Sequence, residues 1–313
     1  MVNRAPHLPP IPAPVRPNLL SSVSPEPRPT EGRWEGGIAY TPHSYLTGWT
    51  ADPCGAVGEG VKPSTDQPAV VEWDPYWIGD DVTCSTFGIK SGDEFPELRS
   101  RLTEAFAAKQ SYLIEEVLWT NTVDSVDFGT DHPNVGLNGD GLAEISTVPT
   151  QAQINAGTIY LPNQYDAVPP VTAFKIITEA LTNQLQGARG MIHVERRVLP
   201  LLAFYGLAVQ SGQRLLTTLG DHIVVPGTGY DGSSPAGEAA SDNYSWIYGT
   251  SVVEVLTAPA SPVGLDRESI NRATNQVTLR VEQLALAHWD RQAHVGVSVC
   301  LEDPAGDCSD AGS

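Results

Sequence analysis

The sequence predicts an α+β fold, and three observations predict it. Apolar residues recur at helical spacing from about residue 95 to about residue 121, helix and strand patterns alternate between about 171 and 230, and short β-leaning runs broken by Pro, Gly and Asp lie on either side.

The long helix has a Ser91-to-Glu94 capping-box spacing at its start, and Pro96 is tolerated because it falls in the first turn. Leu98, Leu102, Phe106, Leu113 and Val117 mark one buried face along about 38 Å of helix. Ahead of it, residues 36–93 include GGIAYTPHSYLTGWTADPCG and AVVEWDPYWIGDDVTCSTFGIK, read as strands with long turns in an extended β-rich loop. Residues 1–33 hold nine of the 26 prolines and no periodic apolar pattern, so they are expected to form an extended, polyproline-like arm outside the core. With four arginines against two glutamates the arm is mildly basic on an acidic body. It is either a loose tail or a strap lying across a neighbouring subunit, where preset proline dihedrals lower the entropic cost of docking.

After the long helix, residues 123–170 read as loops with short strands. A second helix runs over about 171–186 with Phe174, Ile177, Leu181 and Leu185 on one face, and stops at Gly187. GMIHV follows as a buried strand, ERRVLPLLAFYG as a short helix, DHIVVPGTGY as a strand ending in a glycine turn, and NYSWIYGTSVVEVLTAP as further strands. Near the C-terminus, LRVEQLALAHWDRQAHVGVSV predicts a hairpin. Its strands are Leu279 to Ala287 and Ala293 to Leu301, joined by a turn at His288, Trp289, Asp290, Arg291 and Gln292.

At 313 residues and 41% hydrophobic content the chain can fill a sizeable core. Its net charge of −19 excludes a protein whose bulk surface grips nucleic acid by neutralising phosphates. No uninterrupted apolar stretch suits a signal peptide or a membrane span, because the best candidate, Val198 to Val209, is short and contains Pro200 and Gly206. The chain is therefore expected to be soluble and unexported. Cys54, Cys84, Cys300 and Cys308 form no CxxC pair and read as scattered thiols, with a Cys54–Cys84 contact left open.

Chemistry-bearing motifs are sparse. Neither a GxxxxGK[ST] loop nor a GxGxxG fingerprint occurs, and Gly232 to Gly237 suits a surface turn better than a nucleophile elbow. The seven histidines never fall at HxH or HExxH spacing, so they are read as structural or surface residues, with no metal or cofactor expected. The pairs Asp80–Asp81 and Glu115–Glu116 are read as solvated charge, since adjacent side chains diverge. His288 and Asp290 share a face but lack a nucleophile.

Several strings resemble the major capsid proteins of tailed bacteriophages, the shell fold often called the Johnson fold. Glu282-Gln283-Leu284-Ala285-Leu286-Ala287-His288 followed by Trp289-Asp290-Arg291 resembles the C-terminal hairpin of these coats. TAFKIITEALTNQLQGARGMIHVERRVLPLLAFYG is similar to their axial-domain helix, strand and helix, and QRLLTTLGDHIVVPGTGYDGSSPAG to the strand and glycine loop that follow. The helix from about Phe95 to Asn121 matches the spine helix in length and order.

The resemblance implies a Pro-rich arm (1–35), an extended β-loop (36–93), a spine helix (94–122), peripheral-domain strands (123–170 and 265–302), an axial domain (171–264) and an acidic tail (303–313). It further implies a non-enzymatic subunit that joins copies of itself as hexamers and pentamers of an icosahedral shell. The expected partners are a portal and scaffolding or decoration proteins, with double-stranded DNA enclosed without sequence-specific binding. Expected location is the virion, after assembly in the host bacterial cytoplasm, with no membrane and no cofactor. Trp289, Arg291, Arg16, Arg28, Trp73 and Trp77 are the candidate subunit-interface residues, because aromatic and arginine side chains most often carry interface energy. An N-terminal scaffolding domain of the kind some relatives carry is not expected, and the four lysines, Lys62, Lys90, Lys109 and Lys175, lie in no motif that assigns the isopeptide cross-link some members use. Two rival readings remain: an encapsulin-type nanocompartment, and an α/β hydrolase-like enzyme using the loop near Gly227 to Gly237 with His222 or His288.

Overall fold

The computed structural model describes residues 17–23, 38–40, 71–73, 75–85, 94–120, 122–123, 126–127, 167–185, 187–230, 232–233, 240, 242–263, 270–271, 273–289 and 294–301. In chain order the first elements are α1 (Leu19–Ser22), β1 (Ile38–Tyr40), β2 (Val71–Trp73), β3 (Tyr76–Ser85), α2 (Glu94–Thr120), β4 (Thr122–Val123) and β5 (Val126–Asp127). Then come α3 (Pro170–Gln184), β6 (Met191–Val194), a 3₁₀ turn (Arg196–Val198), α4 (Leu199–Phe204), β7 (Ala208–Ser211), β8 (Arg214–Thr217), β9 (Ile223–Pro226) and β10 (Tyr244–Thr250). The last are β11 (Glu254–Thr257), β12 (Ser261–Val263), β13 (Ile270–Asn271), β14 (Gln276–His288) and β15 (His294–Cys300).

The expected α+β class holds, with two principal sheets. One is antiparallel: β14 pairs with β3 along one edge and with β11, β12 and β13 along the other. Helix α2 lies against β3 and β14 and buries Leu102, Phe106, Ile114, Val117, Leu118 and Trp119 in a core shared with Ile78, Val277, Leu279 and Val281. The other sheet runs β15-β10-β6-β9-β8-β7, with β6 and β9 parallel and its other pairs antiparallel. One face, carrying Met191, Ile223, Val225, Trp246 and Tyr248, joins the α2 core, where Trp119 stacks on Tyr230 at 4.1 Å between ring centroids. The other face, with Ile192, Val194, Val224, Ile247, Val295, Val297 and Val299, is covered by Ala173, Phe174, Ile177 and Leu181 of α3.

The long helix, the helix over Pro170–Gln184, and the strands at Met191, Ile223 and Tyr244 lie where the periodicity predicts them. Three expectations need correction. The C-terminal hairpin does not form: β14 and β15 are consecutive in the chain but belong to different sheets. Strand β3 takes one edge of β14 over Gln276–Ala285, and β13, β12 and β11 take the other, while β15 pairs with β10. The segment 265–302 therefore divides between the two sheets. The proline-rich arm is not wholly outside the core either. Asn18 and Ser21 form a reciprocal capping box that closes the helical turn α1, and this turn buries Leu19 and Val23 in the α2 core.

Glu115 is the third. It is fully buried, where solvated charge is expected; Glu116 beside it is half-buried. Beyond Gln110 the run SYLIEEVLW is buried on most of its circumference, because α2 there passes between the two sheets. One hairpin was not foreseen in AVQSGQRLL. Strands β7 and β8 pair as Ser211↔Arg214 around Gly212, whose φ of 64° supplies the left-handed conformation a two-residue turn requires.

Candidate functional site

Strand β3 sorts its side chains by face. Tyr76 and Ile78 are buried towards α2, whereas Trp77, Gly79, Asp81 and Thr83 are exposed on the opposite face. Trp77 is 60% exposed, directly across from Leu284 of β14. Further along this face Arg280 bonds Glu282 at 3.1 Å, and Thr83 and Thr278 share a hydroxyl hydrogen bond at 2.9 Å. On the helix side Lys109 reaches Asp80 at 2.7 Å, and Gln110 Nε2 donates to Gln283 Oε1 at 2.8 Å, which in turn donates from Nε2 to the carbonyl of Ala258. These bonds fix how β3 sits on α2 and hence which way Trp77 points.

Of the six candidate interface residues, only Trp77 and Trp289 have described side chains, and these two do not share a face. Trp77 presents its ring to solvent. Trp289 is 5% exposed and packs in the subunit's own core, which corrects its reading as a surface contact. Its indole lies just after β14, where every residue from Gln283 onward is buried; an aromatic in that setting completes a core before it can reach a neighbour. Trp73 ends β2, opposite Ile38 of β1, and only its backbone is described. Arg16, Arg28 and Arg291 lie outside the described residues, as do Cys54 and Cys308. Cys300 is a buried free thiol.

The residue that sequence reasoning missed is Glu115. Its Oε2 accepts the backbone N–H of Thr228, the N–H of Gly229 at 2.8 Å, and the Thr228 hydroxyl. Gly229 is pressed so closely on α2 that a Cβ there would stand 2.5 Å from the Tyr112 carbonyl oxygen and 2.7 Å from the Glu116 nitrogen, so only glycine fits. Burial pushes the Glu115 carboxyl above its ordinary range; the loop hydrogen bonds and Arg196 pull the other way without cancelling it. The apolar residues flanking the glutamates on both sides, in YLIEEVLW, were the available signal that one of them must point inward.

Three described histidines, His193, His222 and His288, fit the structural reading. His193 is held neutral by burial, its pKa pushed down to about 3, with Nε2 at 3.0 Å from Thr250 Oγ1 and its ring edge-on to Trp119. His222 is pushed down by burial as well, and its Nδ1 accepts the N–H of Gly190 at 3.0 Å. His288 lies 3.3 Å from Glu254 across β11 and β14. The hydroxyl of Thr228, in the loop a hydrolase would use, is engaged with Glu115 rather than with a histidine. Among the described residues no group of three or more His, Cys, Asp or Glu could hold a metal, and no helix is long and apolar enough to cross a membrane.

No protein-family model matches the chain, and no curated protein does. Among solved structures it is similar to a chain of Mycobacterium phage Ogopogo, at 12% identity over 95% of this chain and 96% of that one, with a TM-score of 0.47. The capsid of an empty GTA particle shares 13% identity over 84% of this chain and 90% of its own, with a TM-score of 0.45. The SrpI encapsulin of Synechococcus elongatus PCC 7942 shares 13% identity over 76% and 79%, also at 0.45.

Proposed function

We propose that this chain is the structural subunit of a bacteriophage head, which joins copies of itself into an icosahedral shell around double-stranded DNA. The observation that carries the reading is the order and placement of elements. A β-rich segment enters along β3, a 27-residue helix crosses the β3–β14 sheet, and a separate mixed sheet is built from the chain between Met191 and Thr250 and closed by the last strand. This order supports the succession of extended loop, spine helix and axial domain that the sequence resemblance implies. In this reading the antiparallel sheet and α2 form the peripheral domain and spine, and the six-stranded sheet with α3 and α4 forms the axial domain.

Trp77 is the foremost contact residue in this proposal, since a large aromatic left on an open sheet face gains most from burial by a neighbour. Arg16, Arg28, Arg291 and Trp73 remain proposed contacts from sequence. Many limited interfaces of this kind sum to a stable closed assembly. The net charge of −19 suits a wall that repels packaged DNA rather than binding it, with portal, scaffolding or decoration proteins as the further partners and the host cytoplasm as the place of assembly.

Negative-stain microscopy of the expressed chain tests the proposal. Closed angular shells or capsomers are expected; a persistent monomer or dimer with hydrolytic activity overturns it. The encapsulin reading is separated by contents: nuclease-protected DNA of genome length belongs to a head, protein cargo to a nanocompartment.

A further inference from the structure

Among the contacts between helix α2 and the loop after β9, one is made by a buried ionisable side chain, Glu115. All three donors to Glu115 fall on Oε2, while Oε1, equally buried, meets no donor among the described residues. A carboxylate spreads its charge over both oxygens, so this pocket leaves half of it uncompensated in a low-dielectric setting. A neutral acid matches the pocket better, with its carbonyl oxygen in the Oε2 position receiving the donors and its proton on Oε1. The unmet O–H then costs far less than an unmet charge.

The titratable groups around the joint do not remove this mismatch. Arg196 attracts the carboxylate but is outweighed by burial. Glu116, the next residue on α2, accepts from Tyr112 Oη at 3.4 Å. Tyr230 in the loop donates its hydroxyl to the Trp246 carbonyl at 2.5 Å, and His193 of β6, edge-on to Trp119 one turn further along, stays neutral. Glu195 is occupied by Arg197 and by the Ser245 hydroxyl.

We propose that Glu115 is a proton-operated latch between α2 and the loop Gly227 to Tyr230: protonated, it closes the joint between the long helix and the six-stranded sheet, and ionised, it strains that joint. The sign follows from linkage. The folded chain holds this proton more tightly than the unfolded chain, so the contribution is fully present below the ordinary carboxylate value of 4.5 and is lost as pH rises through the raised folded value. Because Gly229 lies directly on the α2 backbone, loosening the loop also loosens the packing between helix and sheet. The latch does not depend on the chain building a shell.

The test is amide hydrogen exchange at Thr228 and Gly229, corrected for the intrinsic pH dependence, together with thermal unfolding, on the full chain between about pH 5 and about pH 8. In the unmodified chain, protection of these two amides is expected to fall as pH rises. Glu115→Gln, a neutral isostere that keeps the acceptor, is expected to remove that trend and to raise the unfolding temperature at the upper pH by about 2–4 °C, with the two proteins converging at the lower pH. A Gln variant that is less stable than the unmodified chain at high pH, or a difference that does not change with pH, overturns the latch. Should the variant fail to fold, protection in the unmodified chain that stays flat or rises with pH overturns it equally.

Discussion

Strands β6 and β9 are buried at every residue, with the α2 core on one face and α3 on the other, whereas β3 alternates buried and exposed positions and turns Trp77 to solvent. The first half of β14 repeats that alternation, and its second half, from Gln283 to His288, is buried throughout. The centre of the six-stranded sheet is thus closed within the subunit, while its edge strand β7 is exposed. The antiparallel sheet, among the described residues, is covered by a helix on one face, that of α2. The contrast separates two tasks that apolar residues perform: those at the centre of the six-stranded sheet stabilise the fold of one chain, and those on the exposed face of β3 are free to stabilise contact between chains.

The most disruptive way to break this contrast is a proline at Leu284. This position pairs with Trp77 on one side, and its carbonyl accepts the N–H of Ala258 at 2.9 Å on the other, so it lies in the middle of the antiparallel sheet. Leu284→Pro is expected to cost about 3 kcal/mol or more and to abolish both the folded subunit and particle formation, read by circular dichroism and microscopy. Normal particles would mean that β14 is not a central strand.

Two tryptophans divide the next effect. Trp289→Ala removes a core side chain and is expected to cost about 3–5 kcal/mol in urea unfolding of the unassembled subunit. Trp77→Ala is expected to change that same measurement by about 0.5 kcal/mol or less, yet to lower the yield of assembled particles. Equal effects of the two on subunit stability would erase the distinction between the packed end of β14 and the open face of β3.

The same distinction explains what could be read in advance. Helices with one apolar stripe, such as Phe174, Ile177 and Leu181 of α3, announce both their type and their buried face. Strand pairing is different, because Val295, Val297 and Val299 alternate equally well beside β14 or beside β10; the choice depends on which edges other strands have taken. Glu115 and Trp289 were misread for a related cause. Residue type suggests surface or interface, but burial is decided by a second sheet packing on α2 and by the closure of the core around the end of β14, neither of which local spacing encodes.

A smaller effect is expected at His193, on the closed sheet. Its folded pKa of about 3 lies below the ordinary 6.5, so the unfolded chain binds the proton more tightly. Stability from this site is therefore complete above about pH 6.5 and is lost as pH falls below it, opposite in sign to Glu115. Urea midpoints at about pH 7 and about pH 5 are expected to diverge in the unmodified chain and to converge in His193→Gln; the difference between the chain and its Glu115→Gln variant isolates the other trend.

The smallest effect belongs to the ion pair between Lys109 and Asp80, which ties α2 to the inner side of β3. Lys109 is 58% exposed, so water and salt screen the pair and two side chains must be ordered to make it. Lys109→Met is expected to cost about 0.2–1 kcal/mol at low salt and less at high salt, measured by urea unfolding of the subunit. Its use lies in what accompanies that small loss. Asp80 and Trp77 stand on opposite faces of the same strand, so releasing Asp80 from the helix lets β3 roll and changes the angle at which Trp77 meets a neighbour. A particle yield that falls by more than the subunit's lost stability accounts for places the effect on the open face of β3; a yield that tracks stability alone assigns the pair to the fold of the single chain.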